Sequence, residues 1–460
     1  MNDALKQVFI GCGAGFSGDR FDACQPVVEH LATCKGARYL IFEVLAERTL
    51  ALAQKLRKQN PEKGYSPYLD QYLVPILGKI SQDHIRIVTN MGAANPVAAA
   101  RRTHQLVREQ HLPSLRIAVV HGDDLLSILS DAEIFGLPTI EGNSVRGRTL
   151  LAANVYLGAQ PIAEALDTGA DVVLVGRTVD SALALGPLLH EFGWLPTDLE
   201  KMATGTICGH LLECGAQVSG AYFADPGFKE VPDLARVGFP IAEVDETGGM
   251  VITKPPGTGG VVSTATVTEQ LLYELHDPAA YLVPDVTADI TKLHLQEEEP
   301  DRIGVYGIQG HAPPKQLKAT VCMENGWMGE AEMSYAGPNA FARAKLAGDV
   351  VWERMRHQDI IAKVRVDVIG AESVFAGSES EQPPNNALPF DGDYRVRVCL
   401  ISQQRMEAQT LVDEMQSLYC SGPAAGGGFR GHVTEQIATA SVLIDRNVVE
   451  PHVRVEVIEP

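Results

Sequence analysis

Val8-Phe9-Ile10-Gly11-Cys12-Gly13-Ala14-Gly15-Phe16-Ser17-Gly18-Asp19-Arg20 is the stretch whose reading decides the architecture. A short apolar strand runs into four glycines, a serine and an Asp-Arg pair. Glycines let a backbone approach a ligand closely, and a helix start just beyond points free N–H groups at negative charge. The stretch therefore reads as the first strand and ligand turn of an α/β domain.

The pattern repeats as the chain is followed outward. Strand-like runs are expected at Val8–Gly11, Arg38–Val44, Ile85–Asn90, Arg116–His121, Asn154–Gly158 and Asp171–Gly176. Helical patterns separate them at Ala23–Leu31, Arg48–Lys58, Leu69–Ile80, Val97–Glu109, Pro161–Asp167 and Ser181–Phe192. Strands apolar on both faces and separated by helices predict a mostly parallel sheet covered on both sides. An open, doubly wound sheet over residues 1–200 is the first expectation, and a β/α barrel the alternative.

From about residue 201 the texture is α+β. Gln217–Phe223, Gly238–Asp245 and Gly249–Lys254 read as strands, the last two joined by a hairpin turn at Glu246-Thr247-Gly248-Gly249. Thr266–Leu275 reads as a helix, Gln316–Met323 and Gly329–Tyr335 as an antiparallel pair, and Asn339–Met355 as a long helix. The expected domains are 1–200, 201–361 and a small α+β unit over 362–460. In the last, Val364–Ile369, Tyr394–Ile401, Ser441–Ile444 and Val453–Ile458 are strands and Arg405–Leu418 a helix. The polar stretch Ala371–Asp391 reads as a surface loop.

Composition narrows the function classes. The 460 residues carry a net charge of −20, and no run of Lys and Arg offers a nucleic-acid footprint. The eight cysteines form no CxxC pair and fit no zinc ribbon, so they read as reduced thiols of a cytoplasmic protein. No signal-peptide pattern begins the chain and no apolar stretch reaches about 18 residues, so no membrane role is expected.

In such sheets ligands bind beyond the carboxyl ends of the strands, and nearly every predicted strand delivers polar groups there. The first is followed by Gly13, Gly15, Ser17, Gly18, Asp19 and Arg20; the second ends at Glu43, with Glu47 and Arg48 beyond. The third leads into Asn90-Met91-Gly92-Ala93-Ala94-Asn95-Pro96, the fourth into His121-Gly122-Asp123-Asp124, and the sixth into Gly176-Arg177-Thr178-Val179-Asp180.

Each group carries a structural alternative. Glu43 could form an ion pair with Arg20 or Arg48, and Asp123 or Asp124 could cap a helix starting near Leu125. Arg177 with Asp180 suits either an anion clamp or a helix cap. Two further glycine loops, Lys254-Pro255-Pro256-Gly257-Thr258-Gly259-Gly260 and Ser421–Gly431, offer anion cradles or plain flexibility. His210 and Glu213-Cys214 share a helix face and read as packing. Cys12, near a helix start, is a weak nucleophile candidate. The opening loop lacks GxGxxG spacing and a GK[ST], so no strong nucleotide or flavin fingerprint exists. His121, Asp123 and Asp124 could together hold a divalent cation.

These stretches resemble the acyclic terpene utilisation (AtuA-type) family. The resemblance rests on Ile10–Arg20, Leu45-Ala46-Glu47-Arg48-Thr49, Asn90–Pro96, His121–Asp124, Gly176–Asp180 and Thr253–Gly260, and it covers roughly residues 5–370. It implies a place in bacterial catabolism of branched terpenoids by way of acyl-CoA thioesters, and it assigns no individual reaction.

The leading functional expectation is an enzyme acting on a small carboxylate or acyl-CoA thioester by lyase- or hydratase-type acid–base chemistry. His121, Asp123, Asp124 and Glu43 would supply the proton chemistry. Gly13, Gly15, Ser17, Gly18, Asp19, Arg20, Asn90, Asn95, Arg177, Asp180, Lys254, Gly257, Thr258 and Gly259 would bind an anionic substrate. The alternatives are a non-catalytic ligand-binding or scaffold subunit, and an NAD- or flavin-dependent oxidoreductase. A homo-oligomer is the expected assembly.

Overall fold

A computed structural model describes residues 5–142, 145–360, 364–371 and 392–460. The opening stretch forms β1 (Gln7–Ala14), and the next five strands are β2 (Ala37–Phe42), β3 (Arg86–Thr89), β4 (Ile117–His121), β5 (Leu150–Val155) and β6 (Val172–Val175). Tyr39, Leu40, Ile41 and Phe42 are buried in succession, so β2 is covered on both faces. That is the environment a parallel strand between layers of helices requires.

The chain divides into two compact units, residues 1–322 with 439–460, and 323–438. The first holds a ten-stranded mixed sheet. Its parallel centre runs β1-β2-β3-β6-β4, and no closed barrel forms among the described residues. Strands Ile241–Asp245 and Met250–Thr253 extend it antiparallel beyond β1, with Gln7 opposite Asp245 and Gly11 opposite Ile241. His294–Glu299 and Arg302–Tyr306 continue that edge, and Arg454–Ile458 pairs antiparallel with β4 at the other. The compact units therefore do not coincide with the sequence boundaries near 200 and 362. Residues far beyond 200, and the chain's end, hydrogen-bond into the first sheet.

The second unit holds a sheet of Val364–Ile369, Asp393–Ser402 and those parts of strands Gln316–Ala336 and Gly427–Asp445 that lie within 323–438; Asp393–Ser402 pairs antiparallel with Val364–Ile369 and with Gln316–Ala336. Helices Ala340–His357 and Arg405–Ser421 bury Ala347, Val351, Leu411 and Met415 against Met333, Val396 and Val398.

Several local expectations are corrected. The fifth strand lies four residues earlier than its apolar run implied, and it pairs with Gln316–Ala336 rather than joining the ten-stranded sheet. Leu69–Ile80 is two short helices, Leu69–Leu73 and Leu77–Asp83, because Pro75 cannot donate to the helical ladder. Gln217–Phe223 is no strand: a 3₁₀ turn over Gly215–Ser219 is bracketed by Gly215 and Gly220, both at positive φ. The supposed pair Gln316–Met323 and Gly329–Tyr335 is one continuous strand. Gly326, at φ +78°, carries the backbone through the position that reads as a turn. Ser421–Gly431 is only partly a loop, since its helix ends at Ser421 and a strand begins at Gly427. Most of the Ala371–Asp391 stretch lies outside the described residues.

The helix Leu199–Glu213 is the main element that periodicity misses. Every residue from Met202 to Leu212 is buried, so no polar face marks its turns.

Gly15 shows what the opening glycines are for. A Cβ there would lie 2.3 Å from Gly215 N and 2.4 Å from Cys214 C, both backbone atoms that cannot swing away. Gly15→Ala is expected to destabilise the fold by at least ~1–3 kcal/mol, whereas Ser17→Ala, on a partly exposed residue, should stay within about 0.5 kcal/mol of wild type. Chemical denaturation of both variants checks this, and equal stabilities would overturn it.

Candidate functional site

The carboxyl ends of β2, β3 and β6 bring four of the expected residues together. Thr89 locks the end of β3: its hydroxyl donates to Phe42 O at 2.9 Å and accepts from Met91 N at 3.1 Å. Asn90 is thereby held between strands. Its Oδ1 accepts from Val44 N at 2.8 Å, and its Nδ2 donates to Glu43 Oε1 at 2.9 Å. Glu43 Oε1 also accepts from Leu45 N at 3.0 Å. Across from it, Asp180 lies within hydrogen-bonding reach of Glu43.

Arg177 joins the pair. Its side chain is 2% exposed while that of Asp180 is 35% exposed, so charge is buried on one side and solvent is reached on the other. The guanidinium donates to Leu45 O, to Thr178 O and to Asp180 Oδ1, and it stacks 4.5 Å from the Tyr156 ring centroid. Burial opposes its charge, but Asp180, Tyr156 and Glu43 outweigh that and hold it protonated. Tyr156 OH donates to Glu47 Oε1 at 2.5 Å and lies 3.3 Å from Thr320 Oγ1.

Two carboxyls so close cannot both ionise freely. Burial, with Asp180 adding to it, pushes Glu43 up to about 8 against the partial opposition of Arg177. Asp180 is also raised by burial, again opposed by Arg177. Glu43 therefore carries its proton at neutral pH, beside Asp180. Beside it stands His210-Glu213, with His210 Nδ1 2.9 Å from Glu213 Oε1. Burial disfavours the imidazolium, but Glu213 outweighs it and raises the His210 pKa. The helix-face spacing of these two residues is visible in the sequence; their place beside Asp180 is not.

The end of β4 builds a second polar group. Asp123, 4% exposed, accepts at Oδ2 from Asn154 Nδ2 at 2.7 Å and from Arg177 N at 2.9 Å. Burial raises it to about 6. It lines a cavity of about 250 Å³ together with His121, Arg57, Asn95, Asn154 and His452. Asp124 takes the capping role, accepting from Leu126 N at 3.1 Å and pairing with Arg57 at 3.4 Å. His121 is a half-exposed strand-end residue, 3.7 Å from Glu456 across the antiparallel neighbour. His121, Asp123 and Asp124 do not converge on one point: no group of three or more His, Cys, Asp or Glu among the described residues is placed to hold a metal.

The remaining expected binding residues do structural work. Gly15 N donates to Asp19 Oδ2 at 2.9 Å and Arg20 N to Asp19 Oδ1 at 2.8 Å, so the loop's amides close on its own carboxylate instead of awaiting an anion. Arg20 is engaged by Asp22 at 3.1 Å and by Val237 O at 3.3 Å. It does not reach Glu43, nor does Arg48 serve as that residue's partner; Asn90, Arg177 and Asp180 do. Gly13 leaves room for the Phe42 ring, and Gly18 turns the chain at φ +93° beside Tyr68. Ser17 is partly exposed on that turn.

Asn95 caps helix Pro96–Glu109, accepting from Ala98 N at 3.3 Å, and donates to Pro61 O and Lys63 O. Lys254 pairs with Asp301 at 3.1 Å and donates to Thr258 O at 3.1 Å, stapling its own loop. In that loop Thr258 donates to Pro255 O, Gly259 abuts Asp233 O, and Gly257 faces open space. Burial raises the Cys12 thiol well above its usual range, the reverse of an activated nucleophile.

The family model described as "Acyclic terpene utilisation family protein AtuA" matches residues 8–455 of the 460. The chain belongs to the acyclic terpene utilisation family. No curated protein and no solved structure gives a match. In this family member the match spans every element that builds the Glu43–Arg177–Asp180 cluster and ends just inside the strand Arg454–Ile458 beside β4. No helix among the described residues is long and apolar enough to cross a membrane.

The raised pKa of Glu43 has a thermodynamic consequence. A carboxyl that ionises later in the folded chain than in the unfolded one contributes stability fully present below the unfolded value of 4.5 and lost as pH rises through about 8. Glu43→Gln keeps an acceptor for Asn90 and Leu45 and cannot ionise. Urea unfolding from pH 5 to 8 should show wild type losing about 3–4 kcal/mol relative to the variant. A difference that does not change with pH would refute the assignment.

Proposed function

We propose that the protein is an enzyme of acid–base chemistry on a small carboxylate or acyl-CoA thioester, of the hydratase or lyase type. The observation that carries this reading is the Glu43–Asp180 pair: two carboxyls within hydrogen-bonding reach, on the edge where parallel strands end, with Glu43 pushed up to about 8 and Asp180 partly exposed. Perturbed carboxyls with a specific charge partner are the groups that proton-transfer sites are built from.

The chemistry needs an acid and a base at once. In adding water to a carbon–carbon double bond conjugated to a thioester, ionised Asp180 takes a proton from the attacking water. Protonated Glu43 delivers its own to the α-carbon. The oxygen–carbon and hydrogen–carbon bonds form as the double bond is lost, and the pair ends with the same number of protons. The reverse sequence is the elimination. Arg177 is fully engaged by protein groups, so its part is to hold the two carboxyls and balance their charge. Arg57, His121 and His452 give the neighbouring cavity its affinity for an anionic portion of the substrate. Asp123 ties that cavity to the pair through the Arg177 amide. The family's acyclic terpene description agrees with a branched acyl substrate.

Incubation with branched enoyl- and acyl-CoA thioesters in D₂O, read by mass spectrometry, tests this. Wild type should hydrate the enoyl ester or exchange the α-hydrogen. Glu43→Gln and Asp180→Asn should each lose about 10²–10⁴-fold in rate, and Asp124→Asn much less. Full activity in Glu43→Gln, or no reaction of wild type with any member of the panel, would sink the proposal.

A further inference from the structure

The cavity beyond β4 is lined more selectively than an anion alone requires. Its volume of about 250 Å³ lies below the range that drug-sized ligands occupy, so it suits a molecule of a few carbons. Two kinds of group meet there, and they differ in burial.

One kind is positive and reaches solvent. Arg57 is half-exposed and uses Nη1 alone, on Ala94 O at 2.8 Å and on Asp124 at 3.4 Å; its Nε and Nη2 carry no hydrogen bond among the described residues. Helix Pro96–Glu109 begins on the same wall, and a helix start favours negative charge. His121 and His452 line the cavity as well.

The other kind is a buried acceptor. Asn154 spends its Nδ2 on Asp123 Oδ2 at 2.7 Å, which orients the amide and leaves Oδ1 as the remaining acceptor. That oxygen is enclosed and takes no hydrogen bond. Burial holds Asp123 at about 6, so at neutral pH it is ionised and has no proton to give. An enclosed acceptor left bare costs about 1–3 kcal/mol, and an O–H supplied by a ligand removes that cost.

We propose that this cavity holds a small carboxylate with a hydroxyl on the adjacent carbon, either a free 2-hydroxy acid or the 2-hydroxy acid end of a larger substrate. Its carboxylate meets the free nitrogens of Arg57 and the helix start, and its hydroxyl donates to Asn154 Oδ1. Electrostatics favours a hydroxyl over an ammonium at that position. Arg57 and the helix start repel a further cation. The nearby carboxylates are already served, Asp124 by Arg57, Gln54 Nε2 and Leu126 N, and Asp123 by Asn154 and the Arg177 amide. The assignment rests on the cavity being the seat of the substrate's anionic end, and it specifies which acid is recognised.

Isothermal titration calorimetry of the full chain at neutral pH and constant ionic strength tests this with three acids of similar size: racemic lactate, propionate and racemic alanine. Lactate should bind saturably, about tenfold tighter than propionate and tighter than alanine. Arg57→Gln should weaken lactate roughly fivefold or more, and Asn154→Leu should abolish the preference for lactate over propionate. If the buried Asn154→Leu variant does not fold, the wild-type series and Arg57→Gln decide. Equal affinity for lactate and propionate, tighter binding of alanine, no saturable heat with lactate, or an unchanged affinity in Arg57→Gln overturns the site. Binding is read without turnover. An inactive wild type that still prefers lactate refutes the acid–base reaction and leaves this site, whereas turnover of enoyl thioesters without that preference refutes this site alone.

Discussion

The buried guanidinium of Arg177 is the constraint on which the candidate site depends. A charge enclosed to that degree must be met on every side, because desolvation without compensation would expel it. The compensation comes from three separate parts of the chain: the carbonyl of Leu45 after β2, Thr178 and Asp180 after β6, and the face of Tyr156 just past β5. Satisfying one arginine thus fixes three loop conformations. It also sets Glu43 and Asp180 close enough to compete for one proton. The backbone of the same residue holds Asp123, so the second polar group takes its position from the first.

Glycine and lysine loops that look like anion cradles behave differently once folded. In the opening loop the amides of Gly15 and Arg20 are taken by Asp19, a residue of the same turn. Gly13 and Gly15 are needed because the Phe42 ring and the backbone of Cys214 and Gly215 press against them. Lys254 is neutralised by Asp301, nearly fifty residues on. In the opening loop, dense glycine marks close approach of protein to protein.

Much of the α/β half was legible in the sequence. Five of the six expected strands lie where apolar runs end in polar clusters, and those clusters meet at one sheet edge. Glu43, Asn90, Asp123, Arg177 and Asp180 were all visible on that ground. His121 and Asp124 were visible too, but the end of β4 turns them to a cross-strand pair and a helix cap. Tyr156, Asn154 and Thr320 gave no signal, since a lone tyrosine or threonine near a strand carries no pattern. Helix Leu199–Glu213 was silent because it is buried on all sides, which erases the period that betrays a surface helix. Strand Gln316–Ala336 reads as two because of Gly326, whose positive φ is accommodated inside one continuous strand.

Local pattern alone determined the parallel strands, their connecting helices, the edge at which polar residues gather and the family to which the chain belongs. Those properties depend on periodicity and on neighbours a few positions apart. Which strands joined the sheet from beyond residue 200, which carboxyl faced which, and whether an arginine met a substrate or a carbonyl were decided only in three dimensions. Hydrogen bonding and desolvation act between atoms distant in sequence, and the partner that removes a charge's cost is chosen by proximity after folding.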